Sequence, residues 1–174
     1  MKLLFVDDFK LGVLKGENVV DVSSVVSGIP HGGPHDLING LIERFAEYKP
    51  ALERAVAAGD GAPLSQVRVR PPLPRPINID CMAVNYGDDS EIISPIAINA
   101  FLKSPTGIIG HEDTMVLTDV PATIFEGEAE LAIVIGRHAH HVAAADAKDY
   151  IFGYTNFIDG SARGLPPRGT VSTR

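Results

Sequence analysis

The stretch Phe125-Glu126-Gly127-Glu128-Ala129-Glu130-Leu131-Ala132-Ile133-Val134-Ile135-Gly136 decides how this sequence is read. In an extended strand successive side chains point to opposite faces, so Glu126, Glu128 and Glu130 share one side while Leu131, Ile133 and Ile135 share the other. The apolar run after Glu130 has the composition of a buried strand. Three carboxylates on one face repel one another, and a cation, a basic partner or open solvent must relieve them. A solvated face is the plainest account of such a charge run. Two features favour a cation. One is the buried-strand character of residues 131–135; the other is Asp159 in the segment Ile158-Asp159-Gly160-Ser161-Ala162-Arg163, which reads as a Gly-containing turn. Two or three carboxylates with water are the ligand inventory of a hard ion such as Mg2+ or Mn2+.

Working outward, residues 150–157 and 128–135 read as strands, with a short helix between them at 143–148. Further β signals lie at 79–84, 108–109 and 115–117. Upstream, Pro71, Pro72, Pro74 and Pro76 make a stiff connection that suits neither a helix nor a sheet interior, and a domain boundary is expected there. Before it, residues 3–6, 11–14 and 19–22 form a small β-meander with Lys15-Gly16-Glu17-Asn18 as a turn, and 67–69 offers a short strand. From Asp36 the period becomes helical, placing Leu37, Leu41, Ile42 and Phe45 on one face. Pro50 suits the first turn of a second helix that Gly59-Asp60-Gly61 ends.

Composition narrows the function. The 174 residues suffice for one domain, or for a small domain and part of a larger one. A net charge of -7 without any basic stripe argues against nucleic acid as a partner, because phosphate binding draws on clustered Lys and Arg. The apolar runs are too short to span a membrane, and the N-terminus lacks the pattern of a signal peptide, so no membrane partner and a cytoplasmic location are expected. The single cysteine, Cys81, reads as a small core residue. His138, His140 and His141 lack the further ligands of a zinc site. His31-Gly32-Gly33-Pro34-His35 reads as loop punctuation rather than an anion cradle. Ser161 lacks the glycine frame of a nucleophile and reads as turn chemistry.

Four ordered motifs now combine. E-G-E-A-E-L-A-I-V-I-G at 126–136 and D-Y-I-F-G-Y-T-N-F-I-D-G-S-A-R at 149–163, preceded by A-V-N-Y at 83–86 and F-L-K-S-P at 101–105, resemble the fumarylacetoacetate hydrolase family. The resemblance covers residues 77–165, and the N-terminal part is similar to the small leading domain of longer bacterial members. It implies an α+β, β-rich chain: a small N-terminal domain over residues 1–72, a β-meander plus helices, and then part of a mixed β-roll over 73–174. It also implies a metal ion, Mg2+ or alternatively Mn2+ or Ca2+, held by Glu128, Glu130 and Asp159, with Glu126 as a flanking residue. Arg163 and Lys103 would lie near the carboxylate or oxo groups of a small oxo-acid, and the protein would be a homodimer. The activity implied is hydrolysis of a carbon–carbon bond in a diketo acid, or decarboxylation or isomerisation of a related oxo-acid, because a chelated 2-oxo group is polarised toward an enolate.

The sequence departs from the family pattern in three places. The usual N-Y-x-x-H-x-x-E carries a His–Glu dyad that activates water; here Asp89 stands at the His position and Ile92 at the Glu position, with Glu91 beside it. Asp89 or Glu91 would then be the base, its pKa raised by desolvation. The usual acid after Arg163 is Gly164. The family pattern also runs on through a lysine-bearing segment and further strands, so the chain reads as truncated. These departures raise a second expectation from another class: a catalytically inactive family-like subunit or fragment.

Overall fold

The computed structural model describes residues 1–83, 99–117 and 119–165, and these form two compact units, Met1–Asp113 and Thr114–Arg174. In the first unit, alternating apolar residues build an antiparallel meander from β1 (Leu3–Val6), β2 (Lys10–Lys15) and β3 (Asn18–Asp21). Its register pairs Phe5 with Leu11 and Val13 with Val20. Gly16 takes the left-handed conformation, φ 60°, that the tight Lys15–Asn18 turn requires.

Helix α1 (Pro34–Glu43) starts with Pro at its first position, where the missing N–H would have no helical partner anyway. Leu37, Ile38 and Leu41 recur at helical spacing and are buried with Phe5, Leu11, Val22, Val26 and Ile29 in one core. The Gly32 amide donates to the Asp36 carboxylate at 3.0 Å, so an acid of this chain occupies the Gly-rich entry to the helix.

Helix α2 (Phe45–Ala58) begins a turn earlier than its sequence indicates, and Pro50 lies inside it. The helix forgoes one backbone bond there. Leu52 is fully buried in the core, and Phe45 and Tyr48 pack on it, which offsets that loss. Beyond α2, Gly61 has φ 73°, and an added Cβ would lie 2.6 Å from the Val19 carbonyl oxygen. That close approach lets β4 (Ala62–Pro63) pair with β3, while β5 (Val69–Arg70) pairs with β1 to complete a five-stranded sheet ordered β4-β3-β2-β1-β5.

Still within the first unit, β6 (Ile79–Met82) pairs antiparallel with β7 (Ala100–Lys103), a strand the sequence pattern did not show. Cys81 is buried. The β signals at 108–109 and 115–117 correspond to irregular backbone. The Asp113 carboxylate accepts from the Gly110 amide at 2.8 Å and from Arg68 at 2.7 Å. These bonds, the backbone one foremost, hold its pKa below the ordinary carboxylate value.

The second unit is a long two-stranded ladder of β8 (Ile124–Ile135) and β9 (Ile151–Arg163). The connection contains the expected short helix, of the 3-10 type, at Ala144–Tyr150. Arg137 donates to the Asp149 carbonyl and stacks over the Tyr150 ring, pinning the two ends of this connection. A bulge between Val134 and Ile135 shifts the register next to that connection. Leu131, Ile133 and Ile135 are 54–56% exposed rather than buried. Their alternation is right for a strand, but burial depends on what packs against a face, and the carboxylate face is the half-buried one here. Among the described residues no helix is long and apolar enough to cross a membrane.

Truncating Leu41, which has no solvent exposure, is expected to destabilise the first unit by about 2–5 kcal/mol through lost transfer energy and a residual cavity. A fall in the urea midpoint of Leu41→Ala at unchanged slope checks this. Because the Asp113 pKa is depressed on folding, its contribution is present above the unfolded value and is lost as pH falls through the folded one. The stability gap between parent and Asp113→Asn should therefore be largest at about pH 6 and shrink toward about pH 3.

Candidate metal centre

Strand periodicity places the even-numbered residues of β8 and the odd-numbered residues of β9 on the same face. In the ladder Glu128 stands directly opposite Asp159, Glu126 opposite Ser161, and Glu130 opposite Phe157. Directly opposed side chains start from Cβ atoms only about 4.5–5.5 Å apart. Two acids are thus forced together by register alone, with a third two positions along.

The segment around Asp159 is strand, not the turn expected from its glycine and serine. Gly160 pairs across the ladder with Gly127, and an added Cβ at Gly160 would lie 2.9 Å from Met115 Cε, so the glycines admit close neighbours inside an unbroken strand. The strand continues to Arg163, and Asp159, Ser161 and Arg163 consequently share the carboxylate face.

One oxygen from each of Glu128, Glu130 and Asp159 lies within 4.8 Å of the other two. Oxygens bound to one hard cation at about 2.0–2.6 Å cannot be more than about 5 Å apart, so the spacing fits a shared ion. The donor set is all oxygen, which suits Mg2+, Mn2+ or Ca2+ better than zinc. Asp159 is 1% exposed, and the two glutamates are half-buried. The Ser161 hydroxyl donates to Asp159 Oδ1 at 3.3 Å. Burying like charges opposite one another costs free energy unless a positive group joins them.

Arg163 supplies one such charge. Its Nε donates to Glu126 Oε2 at 2.6 Å, and its Nη2 donates to Glu128 Oε1. These bonds, to Glu126 first and then Glu128, raise the guanidinium pKa above its already high ordinary value, so it is cationic at any accessible pH. A cleft of about 180 Å³ is lined by Glu126, Ser161, Phe125 and Met115 among others, and by none of the three clustered acids.

The structure thus brings Glu128, Glu130, Asp159 and Arg163 together on one face. Lys103 ends β7 in the first unit, with Nζ 5.9 Å from the Phe101 ring centroid. Asp89 and Glu91 lie outside the described residues. Sequence reasoning left Glu126 as a flanking residue and Ser161 as turn chemistry; each instead bonds a member of the site. The signal was available in the spacing, since both lie two residues from a candidate ligand on a strand. Among the described residues, the exposed histidines His138, His140 and His141 join no such cluster.

The model of the family described as fumarylacetoacetate (FAA) hydrolase, C-terminal, matches residues 79–171. The chain belongs to the fumarylacetoacetate hydrolase family. It is similar to oxaloacetate tautomerase YisK of Bacillus subtilis (strain 168), 37% identical over 111 residues, covering 60% of this chain and 37% of that protein. It is also similar to maleylpyruvate hydrolase of Aquipseudomonas alcaligenes, 27% identical over 184 residues, covering 97% of this chain and 64% of that protein. In structure it resembles the maleylpyruvate hydrolase from Sphingobium sp. SYK-6 in complex with manganese (II) ion and pyruvate. There the TM-score is 0.82 at 33% identity, covering 94% of this chain and 60% of that one. The chain therefore spans less than two thirds of both the Bacillus and the Sphingobium proteins. A fumarylacetoacetate hydrolase from Exiguobacterium antarcticum, 23% identical with a TM-score of 0.66, shares the fold. The α+β, β-rich class and the family expected from the motifs are both established by these likenesses.

A metal titration followed by thermal melting tests the triad. Saturating Mn2+ or Mg2+ should stabilise the protein by RT ln(1 + [L]/Kd), about 2.7 kcal/mol at one hundred times Kd. Glu128→Gln and Asp159→Asn should abolish the response. If both variants respond like the parent, the ion binds elsewhere.

Proposed function

We propose that this chain carries the metal-binding strands of a divalent-metal-dependent enzyme that acts on a small 2-oxo or diketo acid. The observation that carries the reading is the buried Asp159 set directly across from Glu128, with Glu130 completing an oxygen cluster of 4.8 Å span. A divalent cation, when bound, supplies Lewis-acid polarisation of a 2-oxo group and stabilises negative charge developing on it.

The protein's own groups do the rest. Glu128, Glu130 and Asp159 would hold the ion on one side, leaving its remaining positions to the substrate and water. Arg163, fixed beside Glu128, offers guanidinium donors to the substrate carboxylate, and a fork of this kind recognises a carboxylate with defined geometry. A substrate anchored at both its oxo and carboxylate groups is held in one orientation, which lowers the entropic part of the barrier. The proton on carbon next to the oxo group would be taken or returned by Asp89 or Glu91, the acids standing at or near the family's dyad positions.

The absence of the usual His–Glu pair favours proton transfer next to the carbonyl, as in tautomerisation, over activation of water for hydrolysis. The name of the Bacillus relative supports this ordering, and that of the Sphingobium relative supports the hydrolytic alternative. The experiment is a panel with Mn2+ or Mg2+ on the full-length protein, following oxaloacetate enol–keto interconversion and acylpyruvate cleavage by absorbance. Faster enol–keto exchange, lost in Asp159→Asn and on chelation, is the expected result. Metal binding without turnover of any oxo-acid would instead establish the inactive-subunit reading.

A further inference from the structure

We propose that Glu126, which lies outside the metal triad, is the positioning residue that sets Arg163 for the carboxylate of the substrate; the inference rests on the metal-site reading above. Glu126 stands two positions before Glu128 on the same face of β8, opposite Ser161, while Arg163 lies opposite Ile124 at the other end of that short diagonal. Arg163 therefore reaches inward along the ladder and meets Glu126 first. It does so through Nε at 2.6 Å, the nitrogen nearest the side-chain stem, while Nη2 goes on to Glu128.

Dividing the guanidinium between two acids determines where its other donors point. Arg is a planar fork with five N–H donors, and a fork facing one carboxylate closes on it with two parallel bonds. Facing Glu128 alone, Arg163 would do so and compete with a cation for both of its oxygens. With Nε on Glu126, Glu128 receives a contact from Nη2 and not from a closed fork, and the remaining N–H donors bond neither of these acids. Arg163 and Glu126 are half-exposed at 53% and 41%, so the donors stay within reach of a dissolved acid. Glu126 thus acts on the substrate through Arg163, and its charge offsets that of Arg163 next to the ion.

The test uses the full-length protein, with Mn2+ as the metal and pyruvate as the oxo-acid probe, both affinities measured by calorimetry. Glu126→Gln should weaken Mn2+, because the released guanidinium closes on Glu128, and on protein saturated with Mn2+ it should also weaken pyruvate by about tenfold, the scale of a lost charge-assisted bond. In an Arg163→Met background the same Glu126→Gln change should have no further effect on pyruvate, because the interaction it governs is gone. Glu126→Asp should recover part of the affinity. A purely structural role would instead weaken pyruvate equally in both backgrounds, and that result, or a Glu126→Gln variant binding pyruvate like the parent, overturns the assignment. If the parent takes up neither Mn2+ nor pyruvate, the metal-site reading falls and this one with it.

Discussion

Glu128 faces Asp159 across the β8–β9 ladder, and this one like-charge pair organises the second unit. The register that joins both strands holds their Cβ atoms opposite one another. Like charges directly opposite one another destabilise a sheet, more so when one of them is buried as Asp159 is. The surroundings answer that cost with Ser161 and Arg163 on the adjoining residues of β9, and with Glu130 placed so that a cation would meet three oxygens at once. An ion held at this cluster would couple metal affinity to fold stability, because it would relieve the repulsion that makes the ladder costly by itself.

The same constraint explains the arrangement of charge. Arg163 spans Glu126 and Glu128, partly neutralising the acidic face without entering the triad. A lysine could supply the charge but not two bonds in a fixed plane. The opposite face of the ladder is apolar and exposed, with Leu131, Ile133, Tyr154 and Ile158 each more than half open. The two faces of one hairpin therefore differ, a carboxylate cluster on one and apolar surface on the other, which strand alternation makes possible within a dozen residues.

The first unit depends on a different interaction, the burial of Leu41 and Leu52 against Phe5 and Leu11. Hydrophobic burial of this kind tolerates local faults. Pro50 inside α2 is one such fault, since α2 keeps its course because Leu52 and its neighbours hold it to the core. Local rules placed that helix a turn late because they weigh the proline's missing N–H and not the packing that outweighs it.

Much was legible in the sequence because it rests on local periodicity and residue chemistry. The alternation of Glu126, Glu128 and Glu130 marks a strand with an acidic face, and the meander and the apolar stripe of α1 reflect periods of two and of about three and a half. The motif order carried the family, and with it the three candidate ligands whose oxygens the ladder then brought within 4.8 Å of one another. Tertiary structure alone decided the remainder. Asp159-Gly160-Ser161 looks like a turn and is a strand because pairing with β8 outweighs the local preference of glycine and serine. The apolar side of β8 looks buried and is exposed because burial depends on what packs against it. Glu126 looks incidental and bonds Arg163 because strand pairing joins residues 37 apart in the chain, a distance over which no local pattern carries information.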